Sequence, residues 1–268
     1  MSKKLFIAIM VLLFSVMAVS GFLLVREILQ SNKEIEDFEN LADLIEIETD
    51  DDESYYVPEK RPNADNNHTS ISDESEHEES KIIRKRNLSP IFERNPDCIG
   101  WIYIHNTEVN YPVMHTPDNP QKYIHKDING DYSYSGIPFL QGDCTLESDN
   151  LLIYAHNMKN GTMFAAVKDY REKEFLTEHP VFEFETGNGL KYFEVFAVVR
   201  LKNTDSWYSF IDVADEKDFN KKIEYIKKKS LYDIDITPEY GQQLVTLSTC
   251  YGGDDSDRII IVGAEILV

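Results

Sequence analysis

The stretch Leu244–Ile266, LVTLSTCYGGDDSDRIIIVGAEI, decides the fold. Its opening run, ending on Cys250, is rich in aliphatic and β-branched residues and reads as a strand. YGGDDSD is a loop of turn-forming residues, and RIIIVGAEILV, headed by Arg258, is a second strand. Two such runs joined by a short loop can pair as neighbours. Cys250 and Arg258 then reach the same end of a sheet, beside a loop kept open and solvated by glycines and aspartates. A cysteine kept only for packing sits more naturally inside a strand than at such a mouth.

Working outward, the same signature recurs in CIGWIYI, EVNYPVMH, GIPFL, NLLIYAH, VFEFET and KYFEVFAVVRL, each punctuated by Asn, Gly, Asp or Pro. About eight short strands with few helices predict a mainly β chain closed, or nearly closed, into a barrel. ETGNGLKY reads as a hairpin turn. Two helical stretches interrupt the strands. One is MFAAVKDYRE, with Thr162 as its N-cap. The other is DEKDFNKKIEYIKKKS, between late strands, with Phe219, Ile223 and Ile226 on one face. Its acids lead and its lysines trail, as the helix dipole favours.

Leu5–Val25 is almost wholly apolar, and about 20 such residues cross a bilayer as a helix. Lys3 and Lys4 ahead of it favour a cytoplasmic N-terminus. Ala18-Val19-Ser20 offers the alternative of a cleaved signal peptide, but the apolar run continues past it to Val25, which favours an uncleaved signal-anchor. Residues 1–26 are thus read as a cytoplasmic tip and transmembrane anchor, with all that follows outside the cell.

Residues 27–80 read as a stalk and spacer. Ile35, Phe38, Leu41, Ala42 and Ile45 fall at helical spacing. The acidic, aliphatic-poor run after them cannot bury enough surface to offset its ordering entropy. Ser31–Ser80 carries 18 Asp/Glu against 3 Lys/Arg, a net −15 of the chain's −21. What remains is ordinary for a soluble domain and offers no basic stripe for phosphates, which excludes nucleic acid as a partner. The acidic run lacks the fixed ligand geometry of a calcium site, and no metal or other cofactor is called for. Residues 81–268 are left as one domain of normal size.

Three cysteines in an exported domain do not make a disulfide scaffold. Cys98 and Cys144 read as small buried hydrophobes. Cys250 is a candidate nucleophile, and its thiol needs a base or a cation because the thiolate is the reactive form. His68 and His77 lie in the spacer, and His105, His115, His125 and His179 sit in polar or turn-like surroundings. His156 ends the apolar run NLLIYAH at another strand end. Alone it would be structural or superficial, but beside Cys250 and Arg258 it is the best candidate base. Arg258 stays protonated and can donate to a carbonyl or an oxyanion. An ion pair with Asp254, Asp255 or Asp257 is an equal alternative for it.

TLSTC followed by an arginine opening the next strand, with YAHNM upstream, resembles the sortases, class B in particular. NPDCIGWIYI resembles that class's NPD-x-x-GWI opening, VNYPVMHTPDN its YPV segment ending in DN, and NLLIYAHNM its YGHNM; the helix between late strands is also a class B feature. The resemblance covers about Leu88 to Val268. It implies a sortase-like closed barrel with Cys250 as nucleophile, His156 as general acid/base and Arg258 as substrate or oxyanion stabiliser. By position, Asn119, Tyr154 and Ser248 resemble substrate-pocket residues. The implied reaction is transpeptidation. An Asn-Pro-x-Thr-like sorting signal on an exported protein is cut, and the acyl group passes to an amine of cell-wall peptide. Two departures stand out: Ala155 replaces the glycine usual before the histidine, and DNPQKYI carries an extra residue and a proline after Asn119.

Two other readings compete. In a papain-like peptidase the cysteine opens a helix and precedes the histidine; here the histidine comes first and the cysteine closes a strand. In a non-catalytic, membrane-tethered β-domain that binds wall peptide or a partner protein, Cys250 would be an inert packing residue.

Overall fold

The computed structural model describes residues 3–45 and 86–267. The spacer expected over 46–80 lies outside the described residues. Two compact units are present, residues 1–41 and 42–268. Helix α1 (Lys3–Ile45), most of which forms the first, continues from the apolar segment into the positions read as a stalk without a break. No glycine or proline lies between Arg26 and Ile45 to interrupt it. It is the one helix among the described residues long and apolar enough to cross a membrane.

The second unit is an eight-stranded closed barrel, as the strand pattern predicts. Its strands are β1 (Cys98–Tyr103), β2 (Asn110–Met114), β3 (Phe139–Leu140), β4 (Asn150–Tyr154), β5 (Val181–Thr186), β6 (Gly189–Lys202), β7 (Leu244–Cys250) and β8 (Asp257–Glu265). Around the barrel they run β1-β2-β3-β4-β7-β8-β6-β5, and β1 pairs with β5 to close it. β4 and β7 pair in parallel, while β7 and β8 pair antiparallel. The run GIPFL yields only two residues of strand. Pro138 lacks an N–H for the ladder, and its carbonyl instead accepts from the Met114 N–H at 2.9 Å.

Apolar side chains from all sides fill the interior, with Trp101, Trp207, Phe182, Phe184, Phe193 and Phe196 fully buried. Gly263 in β8 is required by this packing: a Cβ there would come within 2.6 Å of the Phe182 ring. Between the parallel strands, buried Asn150 accepts from the Thr246 hydroxyl at 2.9 Å and donates to the Phe210 carbonyl at 2.9 Å. Trp207 Nε1 donates to Thr246 Oγ1 at 3.1 Å. This network fastens the segment around Trp207 and Tyr208 to the β4–β7 seam.

The short helices are α2 (Ser89–Arg94), α3 (Ala165–Asp169), α4 (Lys173–Glu178) and α5 (Glu216–Lys229). Helix α5 follows expectation: Asp215 caps it by accepting from the Asp218 N–H at 2.8 Å, and Phe219, Ile223 and Ile226 are buried. Helix α3 differs from the helix expected over MFAAVKDYRE. Met163 has a left-handed backbone (φ 58°), so the helix cannot begin at Thr162. The Thr162 hydroxyl donates to Asn160 Oδ1 at 2.7 Å instead of capping. Helix α2 was not foreseen; Pro90 in its first turn supplies the missing start signal.

Candidate active site

Strand register brings the three candidate residues to one rim of the barrel. In the parallel β4–β7 pair, Tyr154 lies opposite Ser248. Two residues further along each strand direction, His156 and Cys250 are therefore level with one another. Across the antiparallel β7–β8 pair, Cys250 faces Arg258 directly. Three bonds tie the β7 end to the segment leaving β4. The Ala155 N–H donates to the Ser248 carbonyl at 3.3 Å, the Thr249 hydroxyl to the Ala155 carbonyl at 2.8 Å, and Asn157 Nδ2 to the Cys250 carbonyl at 3.0 Å.

The rim opens on a cleft of about 390 Å³ whose walls include Cys250, His156, Arg258, Tyr154, Ser248 and Tyr208. Cys250 is exposed, whereas Cys98 and Cys144 are buried. Burial pushes the Cys98 thiol up to about 12 and the Cys144 thiol up to about 11, so both stay protonated and unreactive at neutral pH. That matches their reading as packing residues.

His156 is half-buried, and its Nε2 lies 3.0 Å from the Ile124 carbonyl. A carbonyl oxygen only accepts, so Nε2 carries the proton in this bond and Nδ1 is the nitrogen left to exchange one. Burial holds the imidazole below the ordinary histidine value of 6.5; the Ile124 bond works against this, and the charge of His125 adds to it. Arg258 Nη1 donates to the carbonyls of Asp255 at 2.6 Å and Asp257 at 2.9 Å. Lys202 meanwhile takes the carboxylates of Asp254 at 2.9 Å and Asp257 at 2.6 Å. Backbone carbonyls rather than the carboxylates of Asp254 and Asp257 thus fix the guanidinium in the cleft lining.

The far wall is aromatic. Tyr154 stacks on Tyr208 with ring centroids 5.9 Å apart, and Phe139 lies 5.7 Å from Tyr154. The Tyr154 hydroxyl donates to Gln141 Oε1, and Tyr208 Oη and Ser248 Oγ share a hydrogen bond of 2.8 Å. Burial pushes the Tyr208 phenol up to about 12, with Arg258 pulling the other way. Both phenols are therefore neutral hydrogen-bonding groups at any ordinary pH.

Five of the six residues singled out from sequence, Cys250, His156, Arg258, Tyr154 and Ser248, line this cleft. Asn119 does not. It is exposed in the turn closed by its N–H on the Thr116 carbonyl, while its neighbours Pro120 and Gln121 line the cleft. Pro120, the proline noted after Asn119, packs on Gly142, where a Cβ would come within 2.5 Å of its ring. Ala155 carries no positive φ, so alanine is accommodated without strain where glycine was expected. Gln141, Tyr208 and Ile124 were missed. They lie far from the strand-end residues in sequence, and no spacing marked them.

A sequence model of the Sortase domain matches residues 102–266. The sortase B of Listeria monocytogenes is 34% identical over 180 residues, spanning 66% of this chain and 72% of that protein. Among solved structures, a Staphylococcus aureus sortase B–substrate complex superposes with a TM-score of 0.64 at 25% identity, covering 70% of this chain and 88% of that one. A sortase B complexed with triglycine gives a TM-score of 0.63 at 26% identity, covering 68% and 86%. A strand-end thiol, histidine and arginine on the rim of an eight-stranded barrel thus coincide with a family match over most of that barrel: the chain belongs to the sortase family of transpeptidases, and to its class B.

Proposed function

We propose that Cys250 is the nucleophile of this transpeptidase, His156 its general acid/base and Arg258 the stabiliser of the oxyanion. The observation that carries this is their convergence on one cleft, with Cys250 the exposed thiol among three. The Cys250 sulfur attacks the threonine carbonyl of an Asn-Pro-x-Thr-like sorting signal on an exported protein. His156 takes the thiol proton at Nδ1 and delivers it to the leaving amine, so the C-terminal segment departs and a thioester remains. An amine of cell-wall peptide then attacks the thioester. His156 removes its proton, an amide forms and the thiol is restored.

Arg258 meets the negative charge that develops on the carbonyl oxygen in both steps. Tyr154 and Ser248 contact the signal from the cleft walls, and Asn119 from the exposed turn before Pro120. A bound substrate is supported by the substrate complex of the Staphylococcus aureus protein, and a peptide amine as acceptor by the triglycine complex. Helix α1 anchors the chain with Lys3 and Lys4 in the cytoplasm, and the catalytic domain, residues 81–268, follows the stalk and spacer of residues 27–80 outside the cell.

The test uses the full chain in detergent, quenched fluorescent peptides bearing Asn-Pro-x-Thr and Leu-Pro-x-Thr, and Cys250→Ala in parallel. Cleavage, with an acyl adduct on Cys250 by mass spectrometry, is expected from the unaltered chain and from neither peptide with the variant. No cleavage together with a Cys250 inert to alkylation would leave a binding module in place of the enzyme.

A further inference from the structure

His156 is held by more than the strand it follows. The 3-10 turn Lys122–His125 meets it twice. The Ile124 carbonyl accepts from its Nε2, and the next residue, His125, stacks on its ring with centroids 5.2 Å apart and planes 22° from parallel. His125 in turn stacks with Tyr132, centroids 6.2 Å apart, and backbone pairing between Lys126 and Tyr132 draws that ring back over the turn. Tyr132, His125 and His156 thus form a row of rings running from solvent to the cleft. Stacked aromatic contacts of this kind contribute beyond the area they bury.

These contacts constrain different freedoms. The hydrogen bond to Ile124 fixes which nitrogen carries the proton, but permits the ring to swing about the bond axis. The stack on His125 fixes the ring plane. Together they fix the orientation of the imidazole at the cleft wall, and proton transfer depends on near-hydrogen-bond geometry.

We propose that His125 is a positioning residue for His156, its ring setting the plane of the catalytic imidazole. The proposal rests on His156 being the acid/base. The other charged or titratable groups on the surrounding elements include Tyr123 in the turn itself, Lys126, Asp127, Asp131 and Tyr132 after it, Lys159 beyond His156, and Cys250 and Arg258 at the ends of β7 and β8. Lys122 is engaged by Asp97 at 2.6 Å. Of these groups His125 is the one stacked on His156, and two imidazolium rings in contact would be a like-charge pair.

The test compares His125→Ala, which removes ring and charge, with His125→Phe, which keeps a stacking ring and removes the charge. His125 is exposed, so neither change disturbs the core. With the full chain, His125→Ala is expected to lower kcat about tenfold or more with KM little changed, as misplacement of a catalytic group does. His125→Phe is expected to recover most of that loss. Histidine-selective NMR, with the His156 signal assigned by its loss in His156→Ala, is expected to show the His156 titration moved to higher pH in both variants. An unchanged kcat and His156 titration in His125→Ala would overturn the proposal, as would a His125→Phe as impaired as His125→Ala. Activity surviving in His156→Ala would instead overturn the acid/base reading, and the proposal with it.

Discussion

The Thr249 hydroxyl donates to the Ala155 carbonyl at 2.8 Å, joining the residue before Cys250 to the residue before His156. Parallel strands diverge freely once their ladder ends, and here the ladder ends at Tyr154. This bond and the Asn157–Cys250 bond carry the pairing two residues further, to the candidate catalytic pair. Thr249→Val keeps the shape and removes the donor. It is expected to cost about 1 kcal/mol of stability but roughly tenfold in kcat/KM, because a small misplacement of reacting groups is amplified in rate. Steady-state kinetics beside thermal melts check this; a loss of stability with unaltered kinetics would show the bond to be structural only.

The pH dependence follows from burial of His156. Its folded value lies below 6.5, so the ring is neutral at pH 7 and protonates only at lower pH. As the base in the free enzyme, it makes kcat/KM fall on the acid side with a midpoint below 6.5. The same shift makes the folded state bind this proton less readily than the unfolded chain. Its contribution to stability is therefore present above 6.5 and lost as pH falls through the folded value. A kcat/KM profile between pH 4 and 8 reads the first effect. An acid limb centred at or above 6.5 would count against His156 as that base.

Much of this arrangement was legible in the sequence because its cause is local. Runs of β-branched and aromatic residues bounded by turn residues marked every barrel strand, and a cysteine and a histidine at strand ends were visible as such. The direct opposition of Cys250 and Arg258 needed only one hairpin. What was not legible depends on contacts between distant segments. His125 reads as a surface histidine until the turn Lys122–His125 is seen folded against the end of β4. Tyr208 and Gln141 enter the cleft through the Asn150–Thr246–Trp207 network and the stack on Tyr154, neither of which has a sequence period. The late start of α3 depended on the left-handed conformation of Met163, which no residue preference announces.

Arg258 is fixed through Nη1 by two carbonyls, which a guanidinium can accept while still presenting other donors to the cleft. Lysine carries all its donors on one nitrogen, so it cannot brace the loop carbonyls and reach into the cleft from separate nitrogens as the guanidinium fork does. Arg258→Lys is therefore expected to lower kcat by about 10²–10³, the range typical of losing an oxyanion donor, with a small change in melting temperature. Pre-steady-state acylation of Cys250 separates the outcomes. A fall in the acylation rate supports a role at the carbonyl, whereas wild-type acylation in the lysine variant would reduce Arg258 to a loop brace.

The barrel's entry is held by charge. Arg86 is 9% exposed and lies between two buried carboxylates on β5, donating to Glu183 at 2.9 Å and to Glu185 at 3.3 Å; its guanidinium also lies 4.9 Å from the Tyr103 ring centroid. Arg86→Met removes the cation from its ion pairs with two buried carboxylates and is expected to cost about 3–5 kcal/mol. Replacing all three charged groups together, as Arg86→Met with Glu183→Gln and Glu185→Leu, is expected to recover most of that loss, because neutral groups of similar volume then take the place of a buried ion cluster. Trp101 and Trp207 are the chain's two tryptophans and both are buried in the barrel, so urea unfolding followed by their fluorescence reads the barrel itself. The cluster sits on β5 rather than on the β4–β7–β8 rim. Folded Arg86→Met, assayed well below its midpoint, should therefore keep the pH profile of the unaltered chain. A triple variant no more stable than Arg86→Met alone would place the stabilisation in packing around Tyr103 instead.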